Sequence, residues 1–194
     1  MIRGYIEYNR LERVVLNKLK EIGITEKDYP LNPFDLIKKE GIHLQEIDYD
    51  EPDIRGMIVF GNNATGISIN KNRTYKSKVY IAMHELSHFW FHPHNTDYIC
   101  VNDYIERNSD KEWQANNAAS LALMPTNILT KLYSECNGDI SCISDYFNVG
   151  IRAVKYRLQK IQIAQGNSVP CGYSIDFTEF SEKTYLEHLL YGTK

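Results

Sequence analysis

Val79-Tyr-Ile-Ala-Met-His84-Glu85-Leu-Ser-His88-Phe-Trp-Phe91 is the stretch on which the reading of this chain turns. Apart from His84, Glu85, Ser87 and His88 it is almost wholly apolar, and neither Pro nor Gly interrupts it before Pro93. Such a run suits a buried α-helix. On a helix, His84 and His88 project from one face about a turn apart. Two imidazoles so spaced can each offer a ring nitrogen to one Zn²⁺, and the carboxylate beside the first can take a proton from water activated there. A purely structural helix is the competing explanation. It must account for a Glu in an apolar frame, and burying an unpartnered carboxylate is costly.

Composition narrows the classes. The 194 residues are 43% hydrophobic and 24% charged, which suits one good-sized globular domain, or a core domain with a small appendage, and argues against disorder. A net charge of −3 gives no global attraction toward nucleic acid or anionic membrane. The four cysteines show no C-x-x-C spacing. Cys136 and Cys142 can approach across a short loop, but reduced thiols are the expected state. The first ten residues carry charges where a signal peptide needs an apolar run, so none is expected, and no run approaches the roughly 20 apolar residues of a membrane span. The expected location is cytoplasmic.

Taken in order, Leu11, Val14, Val15, Leu19 and Ile22 give residues 5–22 a helical pattern that stops at Gly23. Pro33 opens a short helix ended by Gly41. Residues 42–48 alternate as a half-buried strand, and residues 56–70 read as a β-hairpin around Gly61-Asn-Asn63. A polar connection follows the His84 helix to Ser109. Residues 110–123 form a second strong helix, rich in alanine, and Met124-Pro125 starts another, running to about Glu135. Residues 140–161 read as helix, tight turn, helix, and Glu182–Tyr191 as one more helix.

A zinc peptidase site needs a third protein ligand and an open fourth position. Glu112, one turn into the second helix, is one candidate, with Asn116 on the same face to orient a ligand without adding charge. Acids are also favoured near helix N-termini without any metal. His94 is the other candidate, because His84, His88 and His94 have the metzincin spacing. That geometry calls for a helix-breaking glycine at position 91, where this chain has Phe, and the break falls at Pro93. His92 reads as a rim or packing residue, and His92, Tyr98 and Tyr104 are the neighbours from which an oxyanion partner can come.

From about Pro33 to Leu158 the chain resembles the ImmA/IrrE-type metallopeptidases of bacteria and their mobile elements. Gly56-Met-Ile-Val, the Ile67–Asn70 strand, Ala82-Met-His-Glu-Leu-Ser-His88 and His92 are similar to that family's hairpin and active-site helix. Glu112-Trp-Gln-Ala-Asn116, followed by Ala118-Ala119 and Leu123-Met124-Pro125, is similar to its more specific Glu-x-x-Ala-Asn and Leu-Met-Pro signature. The resemblance implies His84, His88 and Glu112 as metal ligands, Glu85 as catalytic acid/base, and Zn²⁺ or Mn²⁺ as the ion. It also implies a protein substrate, a helix-turn-helix repressor of a phage, mobile element or stress regulon. Met83, Ser77, Ala118 and Ala122 depart from the usual Ala, Arg, Phe and Leu, which leaves the metal chemistry intact and touches substrate contacts and packing.

The expected fold is α+β: a zincin-like core of the gluzincin type with a small antiparallel sheet over residues 1–135, then a helical, helix-turn-helix-like part over 136–194. Arg152, Lys155, Tyr156, Arg157 and Lys160 give that part a basic face. In an acidic chain, packing or repressor docking is favoured over DNA binding. The expected function is zinc-dependent endopeptidase. The alternative is a non-proteolytic, metal-containing antirepressor or a DNA-binding regulator.

Overall fold

A computed structural model describes residues 2–51, 54–61, 63–92, 99–101 and 110–165. The expectations for His94, Tyr98, Tyr104, Cys171 and the helix at Glu182–Tyr191 lie outside these residues. Helix α1 (Ile2–Glu21) buries Tyr8, Leu11, Val15 and Leu19. Val14, expected on that face, points outward at 42% exposure. Positive φ at Gly23 (+80°) and Gly41 (+72°) turns the chain away after α1 and after α2 (Pro33–Lys39), as L side chains seldom permit. A 3-10 turn at Glu26–Asp28, not foreseen from the pattern, lies between them.

Among the described residues, four strands form one sheet in the order β1-β3-β2-β4, with β1 His43–Ile47, β2 Gly56–Phe60, β3 Thr65–Asn70 and β4 Ile99–Val101. The expected hairpin is present, with Ile58 opposite Ile67 and Gly56 opposite Ile69. The sheet is not antiparallel throughout. β2 lies beyond β3 from β1, so the chain crosses over, and β1 runs parallel to β3. As the edge strand, β1 is also more exposed than its alternation suggested, and only Ile47 is half-buried. Short β4 completes the other edge, in a stretch whose sequence reads only as a polar connection.

Helix α3 (Tyr75–Phe91) starts at Thr74, whose hydroxyl accepts from the Ser77 backbone N–H at 3.4 Å. It lies between the sheet and α4 (Asp110–Leu123), which is why Val79 through His88 are buried without a break. Helix α4 can come close because Ala115, Ala118, Ala119 and Ala122 are all fully buried. Tyr80 locks the pair by donating its hydroxyl to the Asn116 carbonyl at 3.0 Å. Met83, Ala118 and Ala122 all sit in the core, so the unusual sizes at these positions are accommodated there.

Helices α5 (Thr126–Glu135), α6 (Ile140–Phe147) and α7 (Ile151–Gln165) follow. Their residues Leu129, Ile143, Phe147, Val154 and Ile161 belong to the same buried cluster as α3 and α4. Lys76 at the start of α3 pairs with Asp145 of α6 at 2.6 Å. The α6–α7 turn is made by Asn148 in the left-handed conformation (φ 54°, ψ 40°), which asparagine tolerates. Cys136 and Cys142 are joined in a disulfide across the α5–α6 loop, in place of the expected thiols. The five residues between them let the loop close.

The expected basic face of α7 is smaller than its sequence suggests. Arg157 is fully buried, and Tyr156 is buried beside it. Arg157 donates to the Met124 carbonyl (3.0 Å), the Tyr8 hydroxyl (2.9 Å), Thr126 Oγ1 (2.7 Å) and Glu12 Oε1 (3.1 Å). Burial pushes the Tyr8 phenol up to about 12, so it stays a neutral partner. Arg157 therefore joins α7 to α1 and α5, and the exposed cations of α7 reduce to Arg152 and Lys155. Arg157→Leu should lower the unfolding free energy by roughly 3 kcal/mol, the low end for breaking a buried pair. Arg152→Ala and Lys155→Ala should stay within about 0.5 kcal/mol in the same urea titrations.

Candidate metal centre

His84 and His88 leave α3 on the side facing α4, and Glu112 reaches them from the first turn of α4. His84 Nε2 and His88 Nε2 are 3.1 Å apart. Glu112 Oε1 is 3.1 Å from His88 Nε2, and Oε2 is 3.4 Å from His84 Nε2. A tetrahedral ion with bonds of about 2.0–2.2 Å needs donors about 3.3–3.6 Å apart along each edge. The three donors thus outline one face of such a tetrahedron, slightly contracted. Among the described residues they are the one group of three such ligands that converges in this way.

The electrostatics match a cation. Burial opposes charge on His84, but hydrogen bonding and charge from Glu112, with a smaller contribution from Glu85, outweigh it and leave the imidazole's pKa raised. Burial pushes His88 down to about 4, and the neighbouring His84 and His92 add to that. Burial would raise Glu112, yet its bonds to His84 and His88 hold the carboxyl well below the usual carboxylate range. An ionised Glu112 and a neutral His88 thus flank the place where a proton on His84 and a metal compete.

Glu85 is 1% exposed and turns toward the sheet. A Cβ on Gly56, the first residue of β2, would lie 3.4 Å from Glu85 Oε1, 3.2 Å from the Ser68 carbonyl and in collision with Ile81 Cγ2. The missing side chain therefore lets β2 pass directly over α3 beside the carboxylate. Asn116 lies close enough to His84 to favour its protonated form. His84 Nδ1 and Asn116 Oδ1 are both buried without a hydrogen bond.

Residues 37–159, more than half of the chain, match the family model described as the IrrE N-terminal-like domain, a peptidase family. The chain belongs to that family. A comparison with the curated proteins gives no match. The family region takes in α3, α4 and the hairpin, and it runs across the expected division at 135/136 into α7. Peptidase family membership and a His84–His88–Glu112 cluster able to hold a metal agree with each other.

Two further residues complete the surroundings. His92, expected as a rim or packing residue, is buried and bonded to His88. Gln114, given no role, is bonded to His92. The i, i+4 spacing of His88 and His92 was a usable signal for the first. Nothing in the sequence marks the second.

Glu112→Ala should lose bound zinc about as severely as His88→Ala, while His94→Ala keeps it, read by metal content after gel filtration. Retention in Glu112→Ala with loss in His94→Ala would place the third ligand elsewhere. Protons compete with metal at His84, whose pKa stands above the ordinary 6.5, whereas His88 is already neutral there. Zinc affinity should therefore keep rising with pH above 6.5, with proton release on uptake. A plateau from pH 6.5 upward would contradict this.

Proposed function

We propose that this chain is a metal-dependent endopeptidase, with Zn²⁺ as the first choice of ion and Mn²⁺ as the second. His84, His88 and Glu112 would hold the ion, and Asn116 would steady His84. The observation that carries this reading is the buried Glu85 one residue from a converging triangle of donors. When bound, the ion supplies Lewis acidity, polarising a carbonyl and acidifying water. Glu85 is then the group that accepts the proton from the attacking water and passes it to the leaving amine nitrogen. Burial against β2 fixes its carboxylate, and the glycine at position 56 keeps space beside it.

The substrate we propose is a protein, specifically a helix-turn-helix repressor of a phage, mobile element or stress regulon. Support comes from the resemblance of the Glu112–Asn116 and Leu123–Pro125 signatures to the ImmA/IrrE-type peptidases. In this reading α6 and α7 pack against the catalytic core or dock the repressor. The burial of Tyr156 and Arg157 supports it over direct DNA reading, because it takes two members out of the basic face. A cytoplasmic setting follows from the nature of the substrate. Within the described residues no helix is long and apolar enough to cross a membrane.

Glu85→Gln separates a peptidase from a metal-containing antirepressor that works by binding. The amide keeps the shape and the ligand set but accepts no proton. Zinc content and repressor binding should remain near wild type, while cleavage falls at least about a hundredfold, the low end for losing a general base. If wild type cleaves nothing and both proteins relieve repression equally, the antirepressor reading replaces this one.

A further inference from the structure

Outside the ligand triangle, a short chain of hydrogen bonds leads from His88 to the surface of α4. His88 Nδ1 and His92 Nδ1 are 3.0 Å apart, and His92 Nε2 is 3.0 Å from Gln114 Oε1. Each contact needs one proton, and a neutral imidazole has one N–H and one lone pair. With both rings neutral, two arrangements satisfy both contacts. In the outward one, His88 Nδ1–H donates to His92 Nδ1, and His92 Nε2–H donates to the Gln114 carbonyl oxygen. In the inward one, the Gln114 amide is turned over and donates to His92 Nε2, and His92 Nδ1–H donates to His88 Nδ1.

The inward arrangement puts the His88 proton on Nε2, the atom that faces His84 and Glu112. An N–H has no lone pair to give a metal. The outward arrangement leaves that lone pair free for a metal, at the cost of the Nε2–H bond to Glu112 Oε1 that the inward one allows, and it is the one that the amide orientation provides, with Oε1 toward His92. Ligating histidines commonly give their second N–H to a carbonyl, carboxylate or water. Here the acceptor is another imidazole, itself poled by an amide two residues from Glu112.

We infer that His92 and Gln114 are positioning residues that lock His88 in the Nδ1–H tautomer, with Gln114 as the terminal acceptor that sets the polarity. The inference rests on the reading of His88 as a metal ligand and adds to it which residues keep His88 competent. Helices α3 and α4 are then joined by this relay as well as through the ligands. Gln114 is exposed and lines an open cavity of about 590 Å³ with Phe91 and Trp113, so water can partly replace its amide. Water accepts or donates with equal ease, however, and enforces neither polarity.

The test is zinc affinity, by competition with a chromophoric chelator, across variants that differ in polarity. Gln114→Glu can only accept and should bind zinc at least as well as wild type. Gln114→Met should lose several-fold, and Gln114→Lys, which can only donate, should lose most of the three. His92→Phe should lose about 10–100-fold, the usual cost of removing such a partner. Because position 114 is exposed, its series stays informative if His92→Phe fails to fold. Nitrogen-15 spectra of histidine rings in the zinc-loaded wild type should show His88 protonated at Nδ1 and His92 at Nε2. That signature separates tautomer control from the added charge of Glu or Lys.

His92 protonated at Nδ1 in the loaded protein, or equal affinity in all three Gln114 variants, overturns the lock while leaving the metal centre standing. Wild type that takes up no zinc overturns the lock and the proposed function together.

Discussion

The close approach of α3 and α4 is the constraint on which the rest depends. No single segment carries the three donors. Two come from α3 and one from α4, so the triangle exists only while these helices stay near contact. Four buried alanines on α4 permit that distance, and the Tyr80 bond to the Asn116 carbonyl fixes the helices in register. The sheet presses α3 from the other side, where Gly56 removes the one side chain that would hold β2 away. Packing here does the work of aiming donors, because interiors are dense enough to transmit a small shift in one helix to its neighbour.

That packing also concentrates charge where water is scarce. Glu85, Glu112, His84 and His88 all lie within a few residues of the helix contact, and three of them are at most 2% exposed. Burial alone would neutralise such groups. Instead Glu112 stays ionised by bonding two imidazoles, and His84 retains affinity for a proton. A polar cluster this buried is stable only when its donors and acceptors are matched. On the His88 side the bonding extends outward through His92 to Gln114, where the network meets solvent, while His84 Nδ1 and Asn116 Oδ1 stay without a bond.

Local signals made much of this legible in the sequence. His84, Glu85 and His88 are fixed by a motif whose spacing equals a helical turn, and Glu112 with Asn116 follows the same period on the next helix. Capping residues and positive-φ glycines likewise place helix ends to within a few residues. What stayed hidden was non-local. The parallel pairing of β1 with β3 depends on which side of the hairpin the chain crosses to, and alternation does not encode that. Arg157 reads as a surface cation because its four acceptors are scattered over residues 8, 12, 124 and 126. Gln114 matters only through a partner on another helix. The disulfide was visible as a spacing, but its state was not.

The Arg157 network also bears on how the molecule comes to exist. Its guanidinium ties residues 8 and 12 to residue 157, so one of the most deeply buried polar contacts spans nearly the whole described chain. Contacts of such separation are slow to form, since a long loop must close before they reward it. Helix α4, which carries Glu112, packs on α1, and α1 has its buried counter-charge only once α7 has been made. During synthesis the HExxH helix and its third ligand are both available long before that point. A nascent chain therefore carries His84, His88 and Glu112 before the residue that closes the Arg157 network between its two ends.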